Sequence, residues 1–255
     1  MKQSAMIGIP RLSLVALGLL ALSSAWTCAT SDFIDLRDTQ ALEGNAEAGK
    51  ERAAACMACH GPAGISPVPL FPNLAGQHAE YMYGRLLQIK REARAESPMT
   101  AMVADLDDTA MRDLSVWFAS LAAPATAPAA QTSGDTDESG RRLYMEGDSA
   151  RGVPPCQGCH GAAGQGYPLA AASPRWRVIP KLGAQHAQYL AQRLSDYRDR
   201  KHMEASSARL MTPIAATLDD TDIAALTQWM ASADFQNMCL TQSPETSNSE
   251  ESCPD

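Results

Sequence analysis

Residues 56–60 are Cys-Met-Ala-Cys-His, and residues 156–160 are Cys-Gln-Gly-Cys-His. A Gly-x-Ala-Gly sequence follows each copy, at 61–64 and at 161–164. The motif and its flank are therefore duplicated together, at a distance of 100 residues. Such self-similarity indicates that the chain contains the same structural unit twice.

Other landmarks recur in the same order. Residues 72–81 resemble residues 180–189, and the Met-Thr at 99–100 recurs at 211–212. The distance along the chain between corresponding residues of the two repeats increases only between these landmarks, which places insertions in loops near 170–177 and 202–208. We therefore predict a segmented chain with two domains of one fold: a signal peptide (1–29), an N-terminal domain (30–123), an Ala/Pro-rich acidic linker (124–138), a C-terminal domain (139–235) and a polar acidic tail (236–255).

The pattern of apolar residues predicts an all-α fold. Residues 78–94 and 186–200 place apolar side chains at helical spacing, with charged residues between them. The last helix of each repeat should begin at Asp-Asp-Thr, at 107–109 and 219–221, because these carboxylates can cap free backbone N–H groups. No useful length of the chain alternates with a period of two, so we expect little or no sheet.

The N-terminus has the layout of a secretory signal. Lys2 and Arg11 precede an apolar stretch, and no acidic residue occurs before Asp32. We expect cleavage after Ala29; cleavage after Ala25, or retention as an anchor, stays open. The mature protein should then work in an exported, oxidising compartment, soluble or associated with the membrane. In that oxidising compartment, Cys239 and Cys253 of the tail should pair in a disulfide.

Composition excludes several classes of protein. The formal net charge is −8 and the pI is about 5.1, whereas a nucleic-acid-binding protein presents a basic surface. After the N-terminal region, no apolar run approaches the roughly 20 residues that span a bilayer. A polytopic membrane protein and a nucleic-acid partner are therefore excluded.

The sequence Cys-x-x-Cys-His is typical of c-type haem attachment. Its two thiols can add to the vinyl groups on one edge of a porphyrin, and the His that follows can bind the iron. A structural zinc site and a redox dithiol are the alternatives. Zinc is disfavoured because the cysteine pairs lie far apart, each with its own His, and a thioredoxin-like dithiol would need a βαβ pattern. We predict two covalent haem c groups, attached to Cys56 and Cys59 and to Cys156 and Cys159, with His60 and His160 as iron ligands.

The second axial ligand decides what each haem can do. Met99 and Met211 occupy the same repeat position, in what we predict to be a polar loop, and thioether ligation favours electron transfer over small-molecule chemistry. Met102 competes in the first repeat, but Ile214 stands at the corresponding position of the second and cannot bind iron. We therefore predict that Met99 and Met211 complete the two iron sites.

Two further pairs of residues recur. His78 and His186 could give bis-histidine ligation, but they follow Gln at a helix start, where a capping or surface role is favoured. Pro72 and Pro180 follow the haem histidines, and their carbonyl groups could accept the imidazole Nδ1–H and fix the ring orientation.

These motifs resemble the dihaem cytochrome c4 family. The resemblance depends on the two Cys-x-x-Cys-His repeats, on Phe-Pro-Asn-Leu-Ala-Gly-Gln-His at 71–78 and on Met-x-x-x-Ala-x-x-Leu at 211–218. It covers roughly residues 42–123 and 139–235. It implies two class I cytochrome c folds, His/Met ligation at Met99 and Met211, and periplasmic electron transfer between a quinol-oxidising complex (a quinol–cytochrome c reductase) and a terminal oxidase.

Two other functions compete with a free electron shuttle. Related dihaem cytochromes serve as electron-accepting subunits of periplasmic dehydrogenases, and such a subunit would co-purify with its partner. A dihaem peroxidase or a thiosulfate-oxidising enzyme would need an open or unusually ligated haem, which the two matched methionines disfavour. We therefore expect an electron carrier that is not itself an enzyme.

Overall fold

The computed structural model describes residues 40–93, 97–124, 135–201, 206–232 and 234–235, with side chains from 138 and from 209 in the segments that begin at 135 and 206. The predicted signal peptide, the two tail cysteines and most of the linker lie outside these residues. Below, the first repeat means the described residues up to 124, and the second repeat means those from 135 onward.

Both repeats are helical. The first repeat contains α1 (Ala46–Arg52), α2 (Ala54–His60), α3 (Ala79–Glu92), α4 (Pro98–Val103) and α5 (Asp108–Ser120). The second repeat contains α6 (Asp135–Glu146), α7 (Gln157–His160), a 3₁₀ helix (Pro174–Val178), α8 (Ala187–Arg198), α9 (Ser206–Ala215) and α10 (Asp220–Met230). Within the described residues no strand occurs, apart from one isolated bridge between Asp148 and Val153. The predicted all-α class is confirmed.

The first and last helices of each repeat pack together at a glycine. In the first repeat α1 contacts α5, and a Cβ added to Gly49 would lie 2.1 Å from the carbonyl oxygen of Asp113. In the second repeat α6 contacts α10, and a Cβ added to Gly140 would lie 2.1 Å from the carbonyl oxygen of Ala225. A side chain at either position would force the helices apart, so the sequence fixes the same close crossing twice.

The predicted caps of the last helices are present. The Asp107 carboxylate accepts from the backbone N–H of Ala110 at 2.7 Å, at the start of α5. The Asp219 carboxylate accepts from the backbone N–H of Asp222 at 2.8 Å, and Asp222 returns the bond in a capping box at the start of α10.

Each repeat has its own apolar core beneath this helix crossing. In each repeat, aromatic side chains of the last helix belong to the core. Tyr144 and Phe235 are fully buried in the core of the second repeat. The main buried residues are Ala53, Met82, Leu114, Trp117 and Phe118 in the first core, and Leu143, Tyr144, Leu190, Leu226, Trp229 and Phe235 in the second. Each repeat thus has an apolar core built from its own helices.

The predicted loop position of Met99 and Met211 is wrong. Met99 lies in the first turn of α4, and Met211 lies inside α9. Pro213 lies within α9, where a proline disfavours a helix, and α4, which begins at Pro98, has only six residues and shows little apolar periodicity. Met99 and Met211 still occupy matching places, in the helix before the Asp-capped one.

The predicted insertion near 170–177 contains the 3₁₀ helix. This helix packs against α3 of the first repeat. Trp176 stacks on Tyr167 with ring centroids 4.3 Å apart, and Arg177 lies 3.8 Å from the carboxylate of Glu80 on α3. The insertion therefore links the second repeat to the first.

No helix in the described part of the chain combines the length and the apolar character that a bilayer span requires.

Candidate haem sites

The two motif histidines have the same environment. His60 ends α2, is 5% exposed, and its Nδ1 lies 2.9 Å from the carbonyl oxygen of Pro72. His160 ends α7, is 8% exposed, and its Nδ1 lies 3.0 Å from the carbonyl oxygen of Pro180. Both hydrogen bonds predicted from the proline spacing are present.

This hydrogen bond fixes the tautomer of each ring. A carbonyl oxygen can only accept, so Nδ1 holds the proton and Nε2 keeps its lone pair. Burial also lowers the pKa of both His60 and His160, which favours the neutral imidazole. Each ring is therefore prepared to bind a metal ion through Nε2.

Equivalent turns bring the carbonyl group of each proline next to its histidine. The carbonyl oxygen of Gly64 accepts from the backbone N–H groups of Leu74 and Ala75, at 2.8 and 3.1 Å. In the second repeat the carbonyl oxygen of Gly164 accepts from Leu182 and Gly183, at 2.7 and 3.0 Å. The Gly-x-Ala-Gly sequence thus ends at the carbonyl group that anchors the proline segment.

The motif cysteines favour haem attachment over the two alternatives. None of the four pairs in a disulfide, Cys59 and Cys159 are exposed, and burial raises the pKa of Cys56 and that of Cys156, the latter to about 11. A redox dithiol needs a lowered thiol pKa. Within the described residues, no three side chains of His, Cys, Asp or Glu come together as a metal-binding group, as structural zinc would require.

Exposed apolar side chains lie in the segments that follow the motifs and near the candidate methionines. Three occur within ten residues after His60, one occurs nine residues after His160, and two lie near the candidate methionines. Their exposed fractions run from 39% to 57%. A porphyrin is a large apolar plate that such side chains can cover. The set is Ile65, Val68, Leu70, Met102, Leu169 and Leu210.

The candidate methionines differ from their competitor in exposure. Met99 and Met211 are half-buried, whereas Met102 is 48% exposed. Met211 packs against Tyr197 and Ala215. Nothing in these contacts favours Met102 over Met99 as an iron ligand.

A mostly buried cationic side chain, that of Arg193, lies beside Tyr197. The guanidinium of Arg193 stands over the Tyr197 ring, 5.1 Å from its centroid, and Nη1 donates to Asp196 at 3.1 Å. Its Nη2 is buried and has no hydrogen-bond partner within the described residues. A buried donor of this kind needs an acceptor, and a haem propionate is a carboxylate of suitable chemistry. The residues present therefore fit a haem.

The two repeats meet through a reciprocal set of hydrogen bonds. The Gln77 amide accepts from the backbone N–H of Lys181 at 3.0 Å and donates to the Lys181 carbonyl oxygen at 2.9 Å. The Gln185 amide accepts from the backbone N–H of Asn73 at 2.8 Å and donates to the Asn73 carbonyl oxygen at 3.0 Å. Because each glutamine corresponds to the other, and Asn73 to Lys181, the contact has pseudo-two-fold symmetry.

The recurring histidines also belong to this interface. His78 and His186 are the N-cap residues of α3 and α8, yet neither side chain makes a capping hydrogen bond. The Nε2 of His186 lies 3.0 Å from the carbonyl oxygen of Ser66 in the first repeat. The expected capping role is therefore wrong, and the sequence reasoning missed both the Gln and the His as interface residues. Their retention in both repeats was the available signal.

Comparison with known proteins supports two haem domains. The sequence profile of the family described as cytochrome c matches residues 46–122 and 138–234. Cytochrome c4 of Thiocapsa roseopersicina is 39% identical over 189 residues, which cover 73% of this chain and 92% of that protein. The crystal structure of reduced recombinant cytochrome c4 from Pseudomonas stutzeri has a TM-score of 0.65 and 34% identity, and it matches over 74% of this chain and 99% of that chain.

A relative whose name states a more specific function has a lower sequence identity to this chain. The thiosulfate dehydrogenase electron acceptor of Thiomonas intermedia is 29% identical over 185 residues, which cover 72% of this chain and 81% of that protein. The closer relatives are electron carriers rather than enzymes, and so is this protein, with one covalent haem c in each of two tandem cytochrome c domains. The chain belongs to the dihaem cytochrome c4 family.

Proposed function

We propose that this protein transfers electrons in the periplasm with two haems, each of which would be held by two cysteines, a histidine and a methionine. Cys56 and Cys59 attach the first haem, and His60 and Met99 bind its iron. The second haem is attached by the matching cysteines and bound by the matching ligands: Cys156, Cys159, His160 and Met211. Each bound haem supplies one-electron chemistry between Fe(III) and Fe(II).

The observation that carries this proposal is the repeated hydrogen bond from histidine Nδ1 to a proline carbonyl. It holds His60 and His160 in one orientation with Nε2 available. A rigid ligand that stays in place in both oxidation states suits electron transfer. Arg193 would add a donor for a propionate of the second haem, because its buried Nη2 otherwise lacks an acceptor among the described residues.

We further propose that the electrons pass from a quinol-oxidising complex to a terminal oxidase. Residues 30–123 contain 8 basic and 13 acidic side chains, whereas residues 140–235 contain 11 and 9, so the two domains present different fields to their partners. Stopped-flow reduction by a purified quinol–cytochrome c reductase and oxidation by a terminal oxidase test this. The two rates should depend differently on ionic strength, and identical dependence would count against separate docking by charge.

The second candidate function is that of electron acceptor for a periplasmic dehydrogenase. The Thiomonas intermedia relative favours it, because that protein is described as accepting electrons from thiosulfate dehydrogenase. Purification under mild conditions distinguishes the two functions. A free carrier is isolated alone, whereas a subunit co-purifies with a dehydrogenase whose substrate reduces both haems.

The periplasmic location depends on residues outside the described part of the chain. The positive and apolar stretches of residues 1–29 support export, and we place the mature N-terminus at Thr30. Intact mass of protein isolated from the periplasm tests this. A mass that includes residues 1–29, with the protein in the membrane fraction, would show a retained anchor instead.

A further inference from the structure

One peptide group joins His60 to the other repeat. The carbonyl oxygen of Pro72 accepts from His60 Nδ1 at 2.9 Å. The N–H of the same peptide group belongs to Asn73, and it donates to Oε1 of Gln185 at 2.8 Å. The first motif histidine is therefore connected to a side chain of the second repeat by two hydrogen bonds and a single peptide group.

The reverse connection is also present. The carbonyl oxygen of Pro180 accepts from His160 Nδ1 at 3.0 Å, and the N–H of that peptide group, from Lys181, donates to Oε1 of Gln77 at 3.0 Å. Asn73, Gln77 and Gln185 are each at most 8% exposed, so water does not compete freely for these bonds. The two connections cross between the repeats.

We propose that Gln77 and Gln185 are positioning residues that tune the haem of the opposite domain. Gln185, in the second domain, acts on the first haem through His60. Gln77, in the first domain, acts on the second haem through His160. The inference rests on the proposed ligation of both irons by these histidines.

The direction of the effect follows from peptide resonance. A hydrogen bond accepted from the peptide N–H polarises the peptide and makes its carbonyl oxygen a stronger acceptor. A stronger acceptor draws the Nδ1 proton away from the ring and makes the imidazole a more basic ligand. A more basic ligand stabilises Fe(III) over Fe(II), so each glutamine lowers the reduction potential of the opposite haem.

The test replaces each glutamine with methionine, which keeps an unbranched side chain but removes both hydrogen bonds to the other repeat, together with the one that Oε1 accepts from the N–H of the next residue. In holoprotein carrying Gln185→Met, the first haem should become easier to reduce by about threefold, which is about 28 mV at 59 mV per tenfold for one electron. The second haem should not change. Gln77→Met should give the mirror result. The two potentials are measured by a redox titration followed through haem methyl NMR signals, assigned with the single-haem variant C56A/C59A.

Gln188→Met is the matched control, because Gln188 is exposed on α8, three residues after Gln185, and the hydrogen bonds of both proline peptides are made by other residues. It should leave both potentials unchanged. A shift confined to the haem of the substituted domain, equal shifts in both haems or no shift at all would overturn the proposal. Loss of interface packing alone would move both haems together.

If Gln185→Met does not fold, Gln185→Glu replaces it as the test of the proposal. It keeps an accepting oxygen and adds charge, so it should lower the potential of the first haem by more than that of the second, and an equal or reversed effect would overturn the inference. A failure of the proposed ligation is separable from all these outcomes. It would appear in the wild-type protein as spectra without histidine-bound iron.

Discussion

His186 donates a hydrogen bond from Nε2 to the carbonyl oxygen of Ser66, 3.0 Å away in the other repeat. The corresponding His78 has no such bond, and its buried Nε2 lacks a partner within the described residues. Gly166 stands at the position that corresponds to Ser66, with a φ of +100°, and a Cβ added there would lie 2.6 Å from His78 Nε2. The pseudo-symmetric interface therefore departs from symmetry at His78.

Substitution of Gly166 by alanine should weaken the interface. The added methyl group would push against the His78 ring, which is packed between the repeats. Gly152→Ala is the matched control, because Gly152 also has a positive φ, of +76°, but nothing lies within 4 Å of its added Cβ. We expect Gly166→Ala to lower the free energy of unfolding by about 1–2 kcal/mol more than Gly152→Ala, measured by denaturant titration of the holoprotein.

A double variant separates contact from backbone strain. Gly166→Ala is therefore also introduced into the His78→Ala variant. If contact with the His78 ring causes the loss, Gly166→Ala should lower the free energy of unfolding of His78→Ala by no more than Gly152→Ala lowers that of the wild type. Equal effects of the two glycine substitutions in the wild type would show that His78 is not in contact with this position.

Stability should fall in mild acid because of His78. Burial, followed by the positive charges of Lys181 and Arg177, lowers the pKa of His78 from 6.5 to about 4. The folded state therefore disfavours the protonated ring, and stability present above the unfolded pKa is lost as the pH falls from about 6.5 towards 4. This group should contribute a loss of about 2 kcal/mol between pH 7 and pH 5.

The measurement compares the wild type with His78→Gln at both pH values. Other titrating groups affect both proteins alike, so the difference between the two losses isolates His78. The variant should lose about 2 kcal/mol less than the wild type. The same loss in both proteins would refute the assignment.

Met99→Ala should open the first iron and Met211→Ala the second. Each variant should lose the sulfur-to-iron absorption of one site, and one haem per chain should bind carbon monoxide after reduction, with a lowered potential. Met102→Ala is the control in the first repeat, because that side chain is 48% exposed and should leave the spectra unchanged. The opposite result for Met99→Ala and Met102→Ala would make Met102 the ligand.

Haem content should follow the cysteine motifs one by one. Denatured wild-type protein should keep two haems through acid–acetone extraction, and the double variant C56A/C59A should keep one. The mass of each form, measured intact, gives the count directly. Extraction of either haem from the wild type would show that its attachment is not covalent.

The sequence analysis predicted most of the structural features that the two repeats share. The duplicated Cys-x-x-Cys-His, the proline spacing and the Asp-Asp-Thr signatures gave the helical domains, the histidine–proline hydrogen bonds and the capping carboxylates at Asp107 and Asp219. These features depend on local geometry within one repeat. Each can be inferred from a short segment because its partners are close in sequence or occur twice.

Sequence reasoning failed where two segments far apart determine the role of a residue. Gln77 and Gln185 contact backbone groups more than 100 residues away, so no short segment of sequence could reveal their place in the interface. The helices around Met99 and Met211 were missed for another reason. Pro213 lowers the intrinsic helix propensity of α9, and tertiary packing overrides it, whereas Pro98 is compatible with the first position of α4 but that helix has only six residues and therefore shows little apolar periodicity.

Carbon monoxide binding to the reduced wild-type holoprotein tests the central claim most directly. If histidine and methionine close both irons, a reductive titration should take up two electrons per chain, and the reduced spectrum should not change when carbon monoxide is added. A carbon monoxide adduct at either haem of the native protein would contradict the account, because an iron with an open position is built for ligand chemistry rather than electron transfer alone.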